Sequence, residues 1–111
     1  MVAVSTVAAE RRRAVRFRPA FGTYCYCLAG GEGLVWDVSA TGLGMLIATP
    51  PGPGTTIPVE VTNGAESLVL WAHVAHTRRL AAGDYFVGLK FDRPLAPGEL
   101  EPFVTPGRAF D

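Results

Sequence analysis

The sequence has no excess of charge of either sign. Ten lysines and arginines balance ten aspartates and glutamates in 111 residues, so the formal net charge is zero. A neutral chain has no overall field to attract nucleic acid or an anionic membrane. No apolar run approaches the ~20 residues that a membrane-spanning helix needs, and the opening segment 1–9 is too short and too polar for a signal-peptide core. We therefore expect a cytoplasmic protein without membrane insertion.

Cysteine is scarce as well, because the chain contains only Cys25 and Cys27. In the cytoplasm both are expected to be reduced thiols. On one strand face their Cα atoms would lie about 6.6 Å apart with parallel side chains, which does not suit a disulfide. Their spacing is also too close for a usual pair of zinc ligands, and His73 and His76 are predicted to face opposite sides of a strand. We expect packing cysteines and no metal site.

The motifs of common enzymes are missing too. No nucleophile lies in a recognisable elbow, and no pair of carboxylates stands out. The glycine-rich segment Gly30–Gly33 is predicted to join two strands, which is the wrong context for a phosphate-binding loop before a helix. The sequence therefore predicts no catalytic activity and no cofactor.

What the sequence does have is glycine, proline and short alternating segments. Thirteen glycines and nine prolines divide the chain into pieces rich in β-branched and aromatic residues. At most a short helical turn fits near Glu99–Phe103, because prolines interrupt the tail. Without a long helix, the pattern predicts one all-β domain, a barrel or a sandwich. Six strands are predicted, at Phe21–Leu28, Leu34–Val38, Leu43–Ala48, Ile57–Thr62, Leu68–Thr77 and Tyr85–Phe91.

Alternation along these strands predicts which side chains enter the core. It places Trp36 and Val38 inward, and we expect Trp36 and Trp71 to be core aromatics, with a place at the barrel's edge as the alternative for either. Asp37 and Ser39 would then leave the opposite face together.

Half of the positive charge lies in one short segment, which we call the arginine arm. It consists of Arg11, Arg12, Arg13, Arg16 and Arg18. A guanidinium binds phosphate, or O6 and N7 of guanine, through two parallel hydrogen bonds. Fully extended, Arg12 and Arg16 would lie about 13 Å apart, which can straddle a dinucleotide. The arm is interpreted either as a flexible clamp that orders on an anion or as a solvated basic segment.

A second motif lies at a predicted strand end, Asp37-Val38-Ser39-Ala40-Thr41-Gly42. The Asp37 carboxylate accepts hydrogen bonds and the Ser39 hydroxyl donates or accepts them, which suits the Watson–Crick edge of guanine. Gly42 is expected to take a left-handed conformation for a tight reversal and to let a ligand approach the backbone. Asp37 and Ser39 can also cap a turn through local hydrogen bonds, and the two roles are compatible.

Together the motifs resemble a known family. Arg12-x-x-x-Arg16 followed by Asp37-x-Ser39-x-x-Gly42 is similar to the paired signature of PilZ domains, and the segment Tyr85–Phe91 resembles the last barrel strand of that family. The resemblance implies a six-stranded antiparallel β-barrel that binds cyclic-di-GMP.

The resemblance also implies a role for each motif residue. Arg12 and Arg16 would bind the guanine and phosphate groups, Asp37, Ser39 and Gly42 would surround a guanine base, and Arg11 would add a phosphate contact. The chain departs from the family at Thr41, where a small residue is common, and in its tail, which is too rich in proline for a long helix.

The sequence thus predicts a flexible lead-in at 1–9, a PilZ-like barrel at 10–93 that includes the arginine arm, and a proline-rich tail at 94–111. The leading hypothesis is a bacterial second-messenger receptor that binds cyclic-di-GMP and changes its surface to regulate an unidentified partner protein. An adaptor with the same fold, no nucleotide and only protein contacts is the alternative. A small binder of RNA or single-stranded DNA is a third hypothesis, which the zero net charge disfavours.

Overall fold

The chain folds into a closed antiparallel β-barrel. A computed structural model describes residues 15–28 and 30–109. A short helix α1 (Pro97–Leu100) and a 3₁₀ turn (Glu101–Phe103) lie where the helical turn was expected. The strands are β1 (Phe17–Pro19), β2 (Tyr24–Cys27), β3 (Glu32–Val38), β4 (Gly42–Ile47), β5 (Thr56–Thr62), β6 (Ser67–Arg79), β7 (Tyr85–Phe91) and β8 (Val104–Ala109).

Six of these strands close the barrel, as the sequence predicted. Their order is β2-β5-β6-β7-β4-β3, and a pairing between β3 and β2 closes the ring. Every pairing is antiparallel. Gly30, Gly31 and Gly64 have positive φ in the hairpin turns where the sequence placed them, because glycine adopts that conformation without a steric penalty. No helix among the described residues is long and apolar enough to cross a bilayer.

Two strands were not predicted. β1 pairs with β3 at Phe17 and Val38, and β8 pairs with β1, so the two extend the sheet beside the barrel. β1 has only three residues and ends in a proline, and β8 contains a proline followed by a glycine. Both features are unfavourable in strand interiors. The described end of the arginine arm is therefore an ordered strand.

The core consists of the inward side chains of the six barrel strands together with Leu95 and Phe103 from the segment after β7. Cys25 and Cys27 are buried in it as free thiols, which confirms that they are packing residues. Burial raises the pKa of the Cys25 thiol, with a smaller contribution from Cys27. The thiol therefore stays protonated and unreactive at neutral pH.

The two tryptophans are on the outside, so the prediction that they are core aromatics is wrong. Trp36 and Trp71 are 53% and 52% exposed. The register between β3 and β4 shifts between Val35 and Asp37, which places a bulge at Trp36. A bulge interrupts the alternation of side chains, so Val35 and Val38 are both buried while Trp36 and Asp37 point outward.

A second bulge changes the faces of the histidines. The register between β6 and β7 shifts between Val74 and His76. His73 and His76 therefore share the outer face of β6, and the prediction that they face opposite sides is wrong. Among residues 15–28 and 30–109, no three His, Cys, Asp or Glu side chains are grouped to hold a metal ion.

Candidate functional site

Arg16 and Asp37 form a bidentate ion pair on the outer surface of the barrel. Arg16 Nε donates to Asp37 Oδ2 at 2.8 Å, and Arg16 Nη2 donates to Oδ1 at 2.7 Å. The residues are 21 positions apart, and they meet because Arg16 directly precedes β1, which pairs with the end of β3. The hydrogen bonds to Asp37, opposed in part by desolvation, raise the pKa of Arg16 above its ordinary value. The guanidinium is therefore charged and held in one place.

The Asp37 carboxylate lies flat on the neighbouring strand. Its Oδ1 also accepts a hydrogen bond of 2.9 Å from the backbone N–H of Gly44, which is opposite Asp37 in the β3–β4 register. A Cβ on Gly44 would lie 2.9 Å from Asp37 Oδ1 and 2.5 Å from Cζ of Phe86. Such separations are far shorter than van der Waals contact. Because Gly44 has no side chain, the Asp37 carboxylate can lie against this part of the sheet.

Ser39 is fully buried, which differs from its predicted exposure beside Asp37. Its hydroxyl accepts hydrogen bonds of 3.2 Å from the backbone N–H groups of Thr41 and Gly42. The same hydroxyl lies 3.2 Å from the Gly42 carbonyl, to which it can donate. These bonds close the turn between β3 and β4, which is the local capping role that serine commonly has. Ser39 thus shapes the site from within the protein.

Gly42 is not in the left-handed conformation that the sequence analysis assigned to it. The described glycines with positive φ are Gly22, Gly30, Gly31, Gly54, Gly64 and Gly83. Gly42 is required for another reason: a Cβ there would overlap the backbone carbonyl oxygen of Leu89 on β7. The absence of a side chain at Gly42 therefore lets β4 and β7 approach each other. The carbonyl oxygen of Leu89 occupies the space that a Cβ on Gly42 would need.

A cavity of about 190 Å³ opens beside the ion pair. Arg16, Gly42 and Lys90 line it, together with His76 and Gly88 from β6 and β7. Two cationic residues therefore border the cavity. Such a cavity suits an anion, because cationic side chains form charge-assisted hydrogen bonds with anionic oxygens.

The structure brings some of the predicted site residues together. Arg16, Asp37, Ser39 and Gly42 lie at one corner of the barrel, whereas Arg11 and Arg12 lie outside the described residues. Sequence reasoning missed His76, Gly88 and Lys90. A signal did exist for one further residue, because Gly44 lies two positions after the end of the second motif and must face outward if Leu43 faces inward.

Comparison with known proteins identifies the architecture. No protein-family model matches the chain, and neither does any curated protein. Solved structures, in contrast, do match the chain. The PilZ domain with c-di-GMP of YcgR from Escherichia coli matches with a TM-score of 0.61 and 20% identity, over 82% of this chain and 84% of that one. The chain has the PilZ fold.

A second structure, YcgR in complex with c-di-GMP from Escherichia coli, gives the same result. It matches with a TM-score of 0.59 and 18% identity over 73% of this chain. This chain spans only 38% of that longer protein. The predicted resemblance to PilZ domains is thereby confirmed for the fold.

Proposed function

We propose that the chain is a non-catalytic receptor for cyclic-di-GMP, which binds at the cavity beside Arg16 and Asp37. The observation that carries the proposal is the fixed Arg16 guanidinium at the edge of a cavity that Lys90 also lines. The PilZ fold supports it, since both matched structures hold c-di-GMP.

Arg16 can bind the nucleotide without leaving Asp37. A guanidinium has five N–H groups, and the hydrogen bonds to Asp37 engage two of them. Three remain for a phosphate oxygen or for O6 and N7 of guanine. The ion pair is also partly open to solvent, with side-chain exposures of 44% for Arg16 and 13% for Asp37. A ligand can therefore reach the guanidinium from solvent.

Asp37 gives a physical basis for selecting guanine. An ionised carboxylate only accepts hydrogen bonds. The Watson–Crick edge of guanine presents N–H donors, whereas that of adenine presents a ring nitrogen with a lone pair in the corresponding place. We therefore infer that Asp37 accepts from guanine and disfavours adenine. Ser39 and Gly42 would contribute by holding the turn and the strand pairing on which Asp37 depends.

The remaining arginines complete the proposal. Arg11 and Arg12 precede the described residues, and the family motif assigns them phosphate and guanine contacts. Arg16 adjoins β1, which pairs with both β3 and β8. A ligand bound to Arg16 would therefore change the surface of the sheet edge that β1 and β8 form. We infer that the altered edge is what an unidentified partner protein recognises in the cytoplasm.

Nucleotide binding is expected to raise the melting temperature of the chain. A ligand that binds only the folded state at a hundred times its Kd adds about 2.7 kcal/mol to the free energy of unfolding. For a domain of this size that corresponds to roughly 10 °C. Differential scanning fluorimetry with cyclic-di-GMP measures the shift, and GTP at the same concentration is the control. Equal melting temperatures with and without cyclic-di-GMP would count against the receptor.

The adaptor remains a second candidate because of a different surface. Phe21, Tyr24, Leu34 and Trp36 are exposed and line an apolar cavity of about 570 Å³. Exposed aromatic clusters are typical of protein interfaces. The adaptor predicts that cyclic-di-GMP leaves the melting temperature unchanged, and that changing Trp36 to serine abolishes binding to a partner while leaving the fold intact.

A further inference from the structure

The wall of the cavity also includes His76 on β6 and Gly88 on β7, and the proposed function uses neither residue. His76 lines this wall beside Gly88. Its side chain is exposed. An exposed ring at the edge of a proposed ligand cavity is therefore available for contact.

His76 is aligned with Asp37 across the sheet. The register pairs Asp37 with Gly44, Gly44 with Gly88, and Gly88 with His76, so the four residues form one row across β3, β4, β7 and β6. Neighbouring strands are about 4.8 Å apart, which makes the row about 14 Å long. Its two inner positions are glycines, and an aromatic ring occupies the side-chain space of each: Phe86 at Gly44 and His76 at Gly88. The row is therefore a strip of flat rings that begins at Asp37.

The imidazole lies with one face on the backbone of Gly88. A Cβ on Gly88 would overlap Cε1 of His76 and would lie 2.7 Å from both ring nitrogens. An approach through the ring edge would leave the nitrogens much farther away than Cε1, so the ring must present its face to Gly88. The opposite face points away from the sheet.

Phe86 keeps the imidazole in this orientation. The two ring planes are 23° apart and their centroids are separated by 6.0 Å. Phe86 is itself covered by Arg78, whose Cζ lies 5.9 Å from the ring centroid. The ring of His76 is thus supported below and at its side, and only its outer face is free to meet a ligand.

We propose that the outer face of His76 is a stacking surface for a purine base of the nucleotide whose phosphates and guanine edge Arg16 and Asp37 bind. This inference rests on the proposed function. Protein aromatic rings, histidine included, stack on nucleobases. Stacking does not distinguish one base from another. His76 therefore increases the affinity for the nucleotide, and Asp37 selects guanine over adenine.

The first test compares three variants by calorimetric titration with cyclic-di-GMP. His76→Ala removes the ring and is expected to weaken binding about tenfold, the scale of one stacked base. His76→Phe keeps a flat ring without hydrogen-bonding groups and is expected to bind within twofold of the original chain. His73→Ala is the matched control, because His73 lies on the same face of β6 and contacts Thr56 instead of the cavity. It is expected to bind normally.

The second test moves the ring without deleting it. Gly88→Ala requires His76 to shift, which a side-chain end can do without unfolding the barrel. We expect Gly88→Ala to weaken binding to the same degree as His76→Ala. In the His76→Ala background, the Gly88 change should cause no further loss, since no ring remains to be displaced.

The outcomes separate this inference from the proposed function. Weaker binding by His76→Ala with recovery in His76→Phe supports stacking. Normal affinity in His76→Ala, with binding still lost in Arg16→Ala, overturns the stacking surface and leaves the receptor intact. Equal loss in His76→Ala and His76→Phe also overturns stacking, because a hydrogen bond would then be the contact. No binding by the original chain overturns both proposals.

Discussion

Arg16→Ala is expected to weaken cyclic-di-GMP binding at least thirtyfold. The guanidinium is held by two hydrogen bonds to Asp37 and lines the cavity, so the substitution deletes a fixed cation from the proposed site. Hydrogen bonds to charged groups contribute about 2 kcal/mol, which corresponds to roughly thirtyfold in Kd. The measurement is calorimetric titration of both proteins at one salt concentration.

Arg93→Ala provides the matched control. Arg93 forms a bidentate ion pair with Glu99, with both contacts at 2.8 Å, and does not line the cavity. Its loss removes the same charge and the same kind of surface pair. We expect Arg93→Ala to leave affinity unchanged. If the two variants lost equal affinity, the loss would reflect total charge, and Arg16 would have no specific role.

Gly42→Ala is expected to lower the free energy of unfolding by about 3 kcal/mol and the melting temperature by more than about 10 °C. The new Cβ would overlap the carbonyl oxygen of Leu89, a backbone atom of the neighbouring strand. A flexible side chain can move away from such an overlap, but a carbonyl within a strand ladder cannot. β4 and β7 must therefore separate locally. Urea unfolding gives the free energy, and differential scanning fluorimetry gives the melting temperature.

Gly98→Ala separates this effect from a general effect of adding a methyl group. Nothing lies within 4 Å of a Cβ at Gly98, and the residue is in the short helix α1. Alanine is favoured over glycine in helices, so this variant is expected to be at least as stable as the original chain. A Gly42→Ala variant with the same free energy of unfolding as the original chain, but without nucleotide binding, would contradict this explanation. Gly42 would then serve to give the ligand access to the site.

The sequence predicted the six barrel strands because each alternates between apolar and polar residues or begins at a strong turn. The hairpin at Asn63–Gly64 is an example, since Gly64 has the positive φ that the dipeptide predicts. The same reasoning failed at the two bulges. A bulge depends on the pairing of two distant strands, so nothing local in the segment around Trp36 or His76 predicts it.

The site was predicted only in part for the same reason. The motif spacing placed Asp37 and Gly42 at a strand end, and both lie there. The burial of Ser39 and the face of Gly44 under Asp37 follow from turn geometry and register. The row from Asp37 to His76 crosses four strands that are scattered along the chain. Only the pairing of these four strands brings the residues together.

The most direct test of the receptor is calorimetric titration of the purified chain with cyclic-di-GMP, with GTP and cyclic-di-AMP as controls. The account predicts binding with a Kd of about 1 μM or tighter, or about −8 kcal/mol. It also predicts clear selectivity over cyclic-di-AMP, because Asp37 only accepts hydrogen bonds. The titration gives the number of nucleotides bound per chain as well. No heat at high nucleotide concentration, or equal binding of both cyclic dinucleotides, would contradict the account.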